Sequence, residues 1–501
     1  MRELLDTPTQ RRLHILEQLN EVSNWISSNE LAKSNNASLR TINNDVSYLK
    51  ENWYPHLLIE TSKKNGVRLQ TQPSSHIEVV YRYVLKNSEA FRLIESVFFD
   101  TTLSIEKWGE KLFISESSLY RITGDVSKSL KKYGLTLEKK PCRVIGKDEF
   151  FVRFFYTNYF FEAYQINEWP FPSDKKKTIQ FVKDIVEYFN EEVSEKDLLL
   201  ISYLLCISLT RQSQEFFIEG YDKNIFTKEM YHSLNRNAND LANIAKDYGL
   251  LINDQLIYDL MFSLYYHLIN WHSEEEYLHV TKEIKHLMKN IRNVFDFTLT
   301  NQLSDKIENS MKHTYLKHTI YPYPNYIIFN KKFYNAIAIK KLFPTMALVI
   351  EQELIKLEKS TDFPWYTDYF YEVLCTIMIQ WTDLPTLLEN KKQKAKILVM
   401  SSLGYDHSDF LSKMIQKNFV NKAIIEAYTQ SVIFIDDIPK EYFQSYDIII
   451  STFDSEILPQ DKLVVIDDIP SNSDWGTIRR AINNTHQLDE KVVTYLNNNY
   501  Y

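Results

Sequence analysis

Apolar residues near the N-terminus recur at helical spacing. Residues 9–20 set Leu13, Ile15, Leu16 and Leu19 on one stripe of a helix, and Ser28 caps a second, short helix through Glu30, Leu31 and Ala32. Asn35-Asn36-Ala37 breaks the pattern, and Ser38 caps a third helix running to Lys50 with apolar residues at 39, 42, 46 and 49. Its other face presents Arg40, Thr41, Asn43, Asn44, Ser47 and Lys50. Arginine suits guanine, asparagine suits adenine, and serine or threonine bonds phosphate or base, so this face, with Ser38, is a candidate for reading a DNA groove. The chain then alternates through Leu57 and Ile59 to Lys63-Lys64-Asn65-Gly66 and returns through Val67 and Leu69, which predicts a hairpin with lysines at its tip. Three helices and a basic hairpin predict a winged helix-turn-helix over 1–72.

The pattern then repeats. Ser38 follows Leu31 by seven residues and Ile42 follows Ser38 by four; Trp108, Ser115 and Leu119 keep the same intervals. Ser104 to Leu112 predicts a capped helix, and Ser115 to Leu130 a second recognition helix that buries Leu119, Ile122, Val126 and Leu130. Its outward side chains are Ser117, Ser118, Tyr120, Arg121 and Lys128, and residues 135–146 predict another wing tipped by Lys139, Lys140 and Arg143. This second unit is expected over 73–164. From about 165 to 390 the pattern is almost wholly helical, and Leu260–Trp271 echoes Phe370–Trp381 at a separation of 110 residues, which predicts two all-α repeats over 165–288 and 289–388. After a lysine-rich linker, short β-branched runs at 397–401, 423–427, 432–435, 447–451 and 462–466 alternate with helical stretches at 406–418 and 475–498. That alternation predicts a small α/β domain over 395–501 with a mostly parallel sheet.

Composition narrows the function. The 501 residues include only nine glycines, none at the spacing of a phosphate-cradling loop, and three cysteines too far apart for a CxxC site. Free thiols suit a reducing compartment, so a cytoplasmic protein is expected. The longest apolar run, Leu198–Thr210, is too short to cross a bilayer, so no membrane partner is expected. Net charge is −8, yet residues 1–150 hold 22 Lys and Arg against 19 Asp and Glu. Arg121 to Lys147 holds eight cations against two carboxylates, on the second motif. His272 beside Glu274-Glu275-Glu276 is the best metal-like cluster, but adjacent helical residues do not face one site, so no metal and no cofactor is expected.

Taken in order, these parts resemble the Mga/AtxA type of virulence regulators from Gram-positive bacteria. Leu31-Ala32, Ser38, Arg40-Thr41-Ile42, Asp45 and Leu49 carry the first part of the likeness, and Lys111 to Arg121 resembles the Mga-type second helix-turn-helix. The resemblance implies a multidomain, mainly α fold: two winged helix-turn-helix domains, two phosphotransferase-regulation-domain-like (PRD-like) bundles and an enzyme-IIB-like α/β domain. It implies a non-enzymatic transcriptional regulator that binds double-stranded DNA and forms homodimers through the C-terminal domain, with a contribution from the PRDs. It also implies RNA polymerase as partner of an activator, and phosphorylation of histidines by HPr or other phosphotransferase components. Ser401 stands where enzyme IIB carries its phosphocysteine, and Leu204 where the first regulatory histidine would be. His267 and His318 are the phosphorylation candidates, with His313 and His232 behind them, and Ile377 stands opposite His267 in the repeat. The alternatives are an activator of a carbohydrate operon under direct phosphotransferase control and an RNA-binding antiterminator, whose β-rich head this helical N-terminus does not match.

Overall fold

A computed structural model describes residues 1–501 other than 23, 72–75, 190–192, 221–224, 270, 272, 392–393, 420–421, 486–491, 493 and 497–501, and for residues 71 and 267–269 the backbone alone. The chain divides into two compact units, residues 1–278 with 312–334 and residues 279–311 with 335–501.

The first unit opens with α1 (Thr7–Glu21), α2 (Ser28–Ser34), α3 (Leu39–Asn52) and a hairpin of β1 (Leu57–Ser62) and β2 (Gly66–Thr71). Helices α4 (Glu78–Asn87) and α5 (Glu89–Phe99) follow. The order then recurs as α6 (Ile105–Lys111), α7 (Glu116–Lys131), β3 (Leu135–Lys139) and β4 (Cys142–Gly146), ending at α8 (Glu149–Ala163). Leu13, Ile15, Leu16 and Leu19 are all buried, as their stripe predicts. The capping residue of α2 is Ser27 rather than Ser28, because Ser27 and Glu30 close a reciprocal capping box. Leu39 is 47% exposed rather than core; the inner face of α3 is completed by Asp45, which is 2% exposed.

Five more helices, α9 (Lys175–Tyr188), α10 (Glu195–Ser213), α11 (Lys228–Arg236), α12 (Ala238–Lys246) and α13 (Asp254–Ile269), pack around Phe181, Leu205, Leu209, Leu241, Leu260 and Met261. A buried ionic cluster joins them to α8. Arg153 donates to both carboxylate oxygens of Asp259, to Ser263 Oγ (3.2 Å) and to the Phe216 carbonyl (3.1 Å). Arg211 forks onto Glu149 at 2.7 and 2.8 Å. Buried charges persist only when paired and hydrogen-bonded in this way.

Next come α14 (Glu274–Phe295), α15 (Asn301–Ile320) and α16 (Lys331–Leu342). Between the last two, Tyr321–Asn330 forms a strap in the first unit that buries Tyr321, Ile327, Ile328 and Phe329 in the same core as α1, α4, α5 and α8. The Glu162 carboxylate accepts from the backbone N–H groups of Ile327, Ile328 and Phe329 at 2.6, 2.9 and 2.7 Å. Arg2 Nε donates to the Ile328 carbonyl at 2.6 Å.

In the second unit, α17 (Pro344–Thr361), α18 (Phe370–Gln380) and α19 (Leu384–Lys391) precede β5 (Ala395–Met400), α20 (Tyr405–Asn418), β6 (Ala423–Ala427), α21 (Lys440–Gln444), β7 (Ile448–Ser451), β8 (Leu463–Val465) and α22 (Asn472–Thr485). The sheet runs β6-β5-β7-β8 and every pairing is parallel. Period-two alternation splits its strands between two cores. Ile397, Val399, Ile448 and Ile450 pack against α20 and α22, while Leu398, Met400 and Ile449 meet Tyr428, Phe443 and Leu458. Residues 432–435 form part of a 3-10 helix, Val432–Asp437, rather than a strand: Ser431 caps it, and Ile433 and Phe434 are exposed instead of alternating inward. The expected mainly helical, multidomain chain with two helix-turn-helix motifs and a parallel α/β sheet is what is observed. Among the described residues no helix is long and apolar enough to cross a membrane.

Candidate nucleic-acid interface

Each motif is built by the same local devices. Ser38 caps α3 by accepting from the Thr41 N–H (3.1 Å), and Ser115 caps α7 by accepting from the Ser118 N–H (3.3 Å). Asn36 and Phe113 make the preceding turns in the left-handed region, with φ of +46° and +57°. The turns close equivalently, Ala37 N–H to the Ala32 carbonyl and Ile114 N–H to the Gly109 carbonyl. Gly109 lets the helices approach, since a Cβ there would lie 2.7 Å from Leu119 Cδ2.

On α3, Arg40, Asn43, Asn44, Ser47 and Lys50 are exposed. Ser38 and Thr41 hydroxyls bond each other at 2.9 Å, so both are engaged in the cap. Asp45 faces inward and holds α1 through Arg11 Nε (2.5 Å) and Arg12 Nε (2.8 Å), with the Arg12 guanidinium 3.6 Å above the Tyr48 ring. The spacing of apolar residues gave no sign of this anchor. On α7, Ser117, Tyr120, Arg121 and Lys128 are exposed and Ser118 is half-buried; Arg121 lies 3.7 Å from Asp125.

The first wing bridges back to the motif, Ile26 and Val67 exchanging two N–H···O bonds of 2.8 Å. The second bridges through the Cys142 N–H and the Leu103 carbonyl. Lys63 and Lys64 crown the first wing, Lys139 and Lys140 the second, all exposed. Lys140 reaches Glu106 at 3.3 Å. Among the described residues Lys63, Lys64 and Lys139 have no carboxylate partner, which leaves their charge available to phosphates. Arg143 is not at the tip: it sits opposite Glu138 in the ladder, pairs with it, and lies against the Phe216 ring, half-buried.

The structure therefore brings the two polar helix faces and their wings into one unit, and the candidate histidines belong to other helices. The backbone of His267 belongs to α13, and its side chain lies outside the described residues, as does all of His272. His318 is half-buried and His313 exposed on α15, and His232 is exposed on α11; Leu204 and Ile377 are buried. Ser401 is buried at the end of β5, with its hydroxyl 2.7 Å from His407 Nδ1. His407 Nε2 lies 3.0 Å from the Asp468 carbonyl, which can only accept, so Nε2 carries a proton. Burial pushes the thiols of Cys142 and Cys206 up to about 12, so neither is a thiolate at neutral pH. No cluster of three metal-ligating side chains occurs among the described residues.

A model of the Mga helix-turn-helix domain matches residues 73–160, and one described as an HTH domain matches residues 11–68. A protein of Streptococcus pneumoniae serotype 4, provisionally named a trans-acting regulator, is 26% identical over 473 residues, 90% of this chain and 93% of its own length. The capsule synthesis positive regulator AcpA of Bacillus anthracis is 27% identical over 265 residues, covering 51% and 53% of the two chains. The anthrax toxin expression trans-acting positive regulator of the same organism is 22% identical over 489 residues, 94% and 98%. The likeness to Mga/AtxA-type regulators is thus found in the motifs that carried it and along most of the chain.

Proposed function

We propose that this chain is a cytoplasmic, DNA-binding positive regulator of transcription, with no catalytic activity, acting on virulence or capsule genes as its named relatives do. One observation carries the reading: two capped, bridged helix-turn-helix motifs in one unit, each presenting polar side chains on its second helix beside a lysine-tipped wing. Arg40, Asn43, Asn44 and Ser47 read base edges. Ser38, Thr41, Lys50, Lys63 and Lys64 hold the backbone, and Ser117, Ser118, Tyr120, Arg121, Lys128, Lys139 and Lys140 serve a second stretch of the same duplex.

The remainder of the chain serves regulation in this reading. Residues 165–288 and 289–388 act as PRD-like modules, with His267 and His318 as acceptors of phosphate from HPr or its partners. The domain over 395–501 is an enzyme-IIB-like dimerisation module whose parallel sheet suits that fold, and Ser401 in place of cysteine excludes a thiophosphate. RNA polymerase is the further partner. Arg40→Ala and Lys64→Ala test the assignment on the full chain, using duplexes selected from a random library. Arg40→Ala should lower discrimination between selected and scrambled duplexes by about 1–3 kcal/mol, and Lys64→Ala should weaken both alike. Equal binding of both duplexes by both variants and the unaltered protein would refute it.

A further inference from the structure

Phe113 is the most exposed large apolar side chain in the described structure, at 93%, and it makes the turn between α6 and α7 in the left-handed region, φ +57°. Both features are unfavourable. An aromatic side chain in that region is strained by roughly 1 kcal/mol or more, and the ring recovers nothing by burial. The first motif shows that the fold does not require it. Asn36 occupies the equivalent place, five residues after the buried Leu31 and two before the cap, as Phe113 stands five after Trp108 and two before Ser115, and asparagine tolerates this conformation. The ring has no aromatic partner among the described residues.

Its surroundings identify the occupant. Phe113 leads into the N-terminal turn of α7, where Ser115 and Ser117 are exposed, and Tyr120, 64% exposed, lies about one turn further on. The same motif carries the run of eight cations against two carboxylates, and Lys111 lies just before the ring. In helix-turn-helix proteins the N-terminal residues of the second helix meet base edges, so a side chain projecting from the turn before it stands at the lip of the major groove. The apolar group available there is the thymine 5-methyl.

We propose that Phe113 is a specificity-determining contact of the second motif, its ring packing on a thymine methyl group at the edge of the major groove. This rests on the reading of the chain as a duplex-binding regulator. The test uses the full chain and a duplex it selects from a random library, with each thymine replaced singly by deoxyuridine, which removes only the methyl. At one thymine the substitution should weaken binding about fourfold, the value of one buried methyl. Phe113→Asn should weaken binding to the parent duplex by about fourfold or more, show no further loss on the deoxyuridine duplex, and melt no lower than the unaltered protein. Phe113→Ala should bind like Phe113→Asn. Unchanged affinity in both variants, or deoxyuridine losses that persist in them, overturns the proposal, as does a fall in transcription without a fall in duplex affinity, which would place a protein partner on the ring. A wild-type chain that selects no duplex overturns the parent reading as well, so the two failures are distinct.

Discussion

At the turn of the first wing Gly66 takes φ +100°, and a Cβ there would lie 2.1 Å from the Ile26 carbonyl oxygen. That oxygen is bound to Val67, so it cannot retreat without breaking the bridge that holds the wing. Gly66→Ala should therefore lower stability by more than about 2 kcal/mol in thermal or denaturant unfolding. Gly124 gives the contrast: it lies inside α7 with nothing within 4 Å of its added Cβ, and Gly124→Ala should raise stability by about 0.5–1 kcal/mol. If the two substitutions behave alike, the close approach at Gly66 is not what the wing depends on. The Asn-Gly signal located this turn in the sequence because it is a local conformational requirement. Asp45 was not legible in the same way. A carboxylate on the inner face of α3 looks like an error of pattern until Arg11 and Arg12, more than thirty residues earlier, are placed beside it.

Elements show the same division between local and distant causes. Pro322 and Pro324 mark Tyr321–Asn330 as non-helical, but nothing in its pattern says that it packs on the N-terminal helices, because that contact joins residues more than 150 apart. Glu162 is the link, and burial pushes its carboxyl up to about 7 against the opposing pull of three backbone N–H groups and the Met1 amino group. The sign follows from proton binding: between the ordinary carboxyl value and 7 the folded state holds a proton that the unfolded chain has lost. Stability from this group is thus greatest at low pH and declines as pH rises through that window. Glu17 and Glu78, held low by Arg2 and Lys331, act in the opposite sense only near and below the ordinary carboxyl range. The contribution of Glu162 should therefore fall between pH 5 and pH 7.5, so that the melting temperature of Glu162→Gln, relative to the unaltered protein, should rise over that interval. The difference amounts to on the order of 2–3 kcal/mol, and an identical pH profile in both proteins would contradict the assignment.

At the scale of the whole molecule, the tandem repeat was legible because serine caps and apolar intervals are short-range, and the parallel sheet because β-branched runs alternate with helices. Exceptions such as the 3-10 helix at Val432–Asp437 arise where an apolar run faces outward. Exposed Leu403, Tyr405, Phe410, Ile433, Phe434 and Ile469 supply the C-terminal domain with apolar surface. In the proposed dimer, removal of residues 394–501 should shift light scattering toward monomer and weaken duplex binding by loss of the second engaged site. An unchanged dimer would move the interface to the preceding helices. The central claim, that the first unit grips a DNA backbone through its two wings, is tested most directly by the salt dependence of duplex affinity. The full chain should show a steep linear fall of log K with log salt. Joint replacement of Lys63, Lys64 and Lys139 by alanine should reduce the slope by about 2–3, near 0.9 for each phosphate that is no longer neutralised. A flat dependence in the unaltered protein, or the same slope in the triple variant, would contradict it.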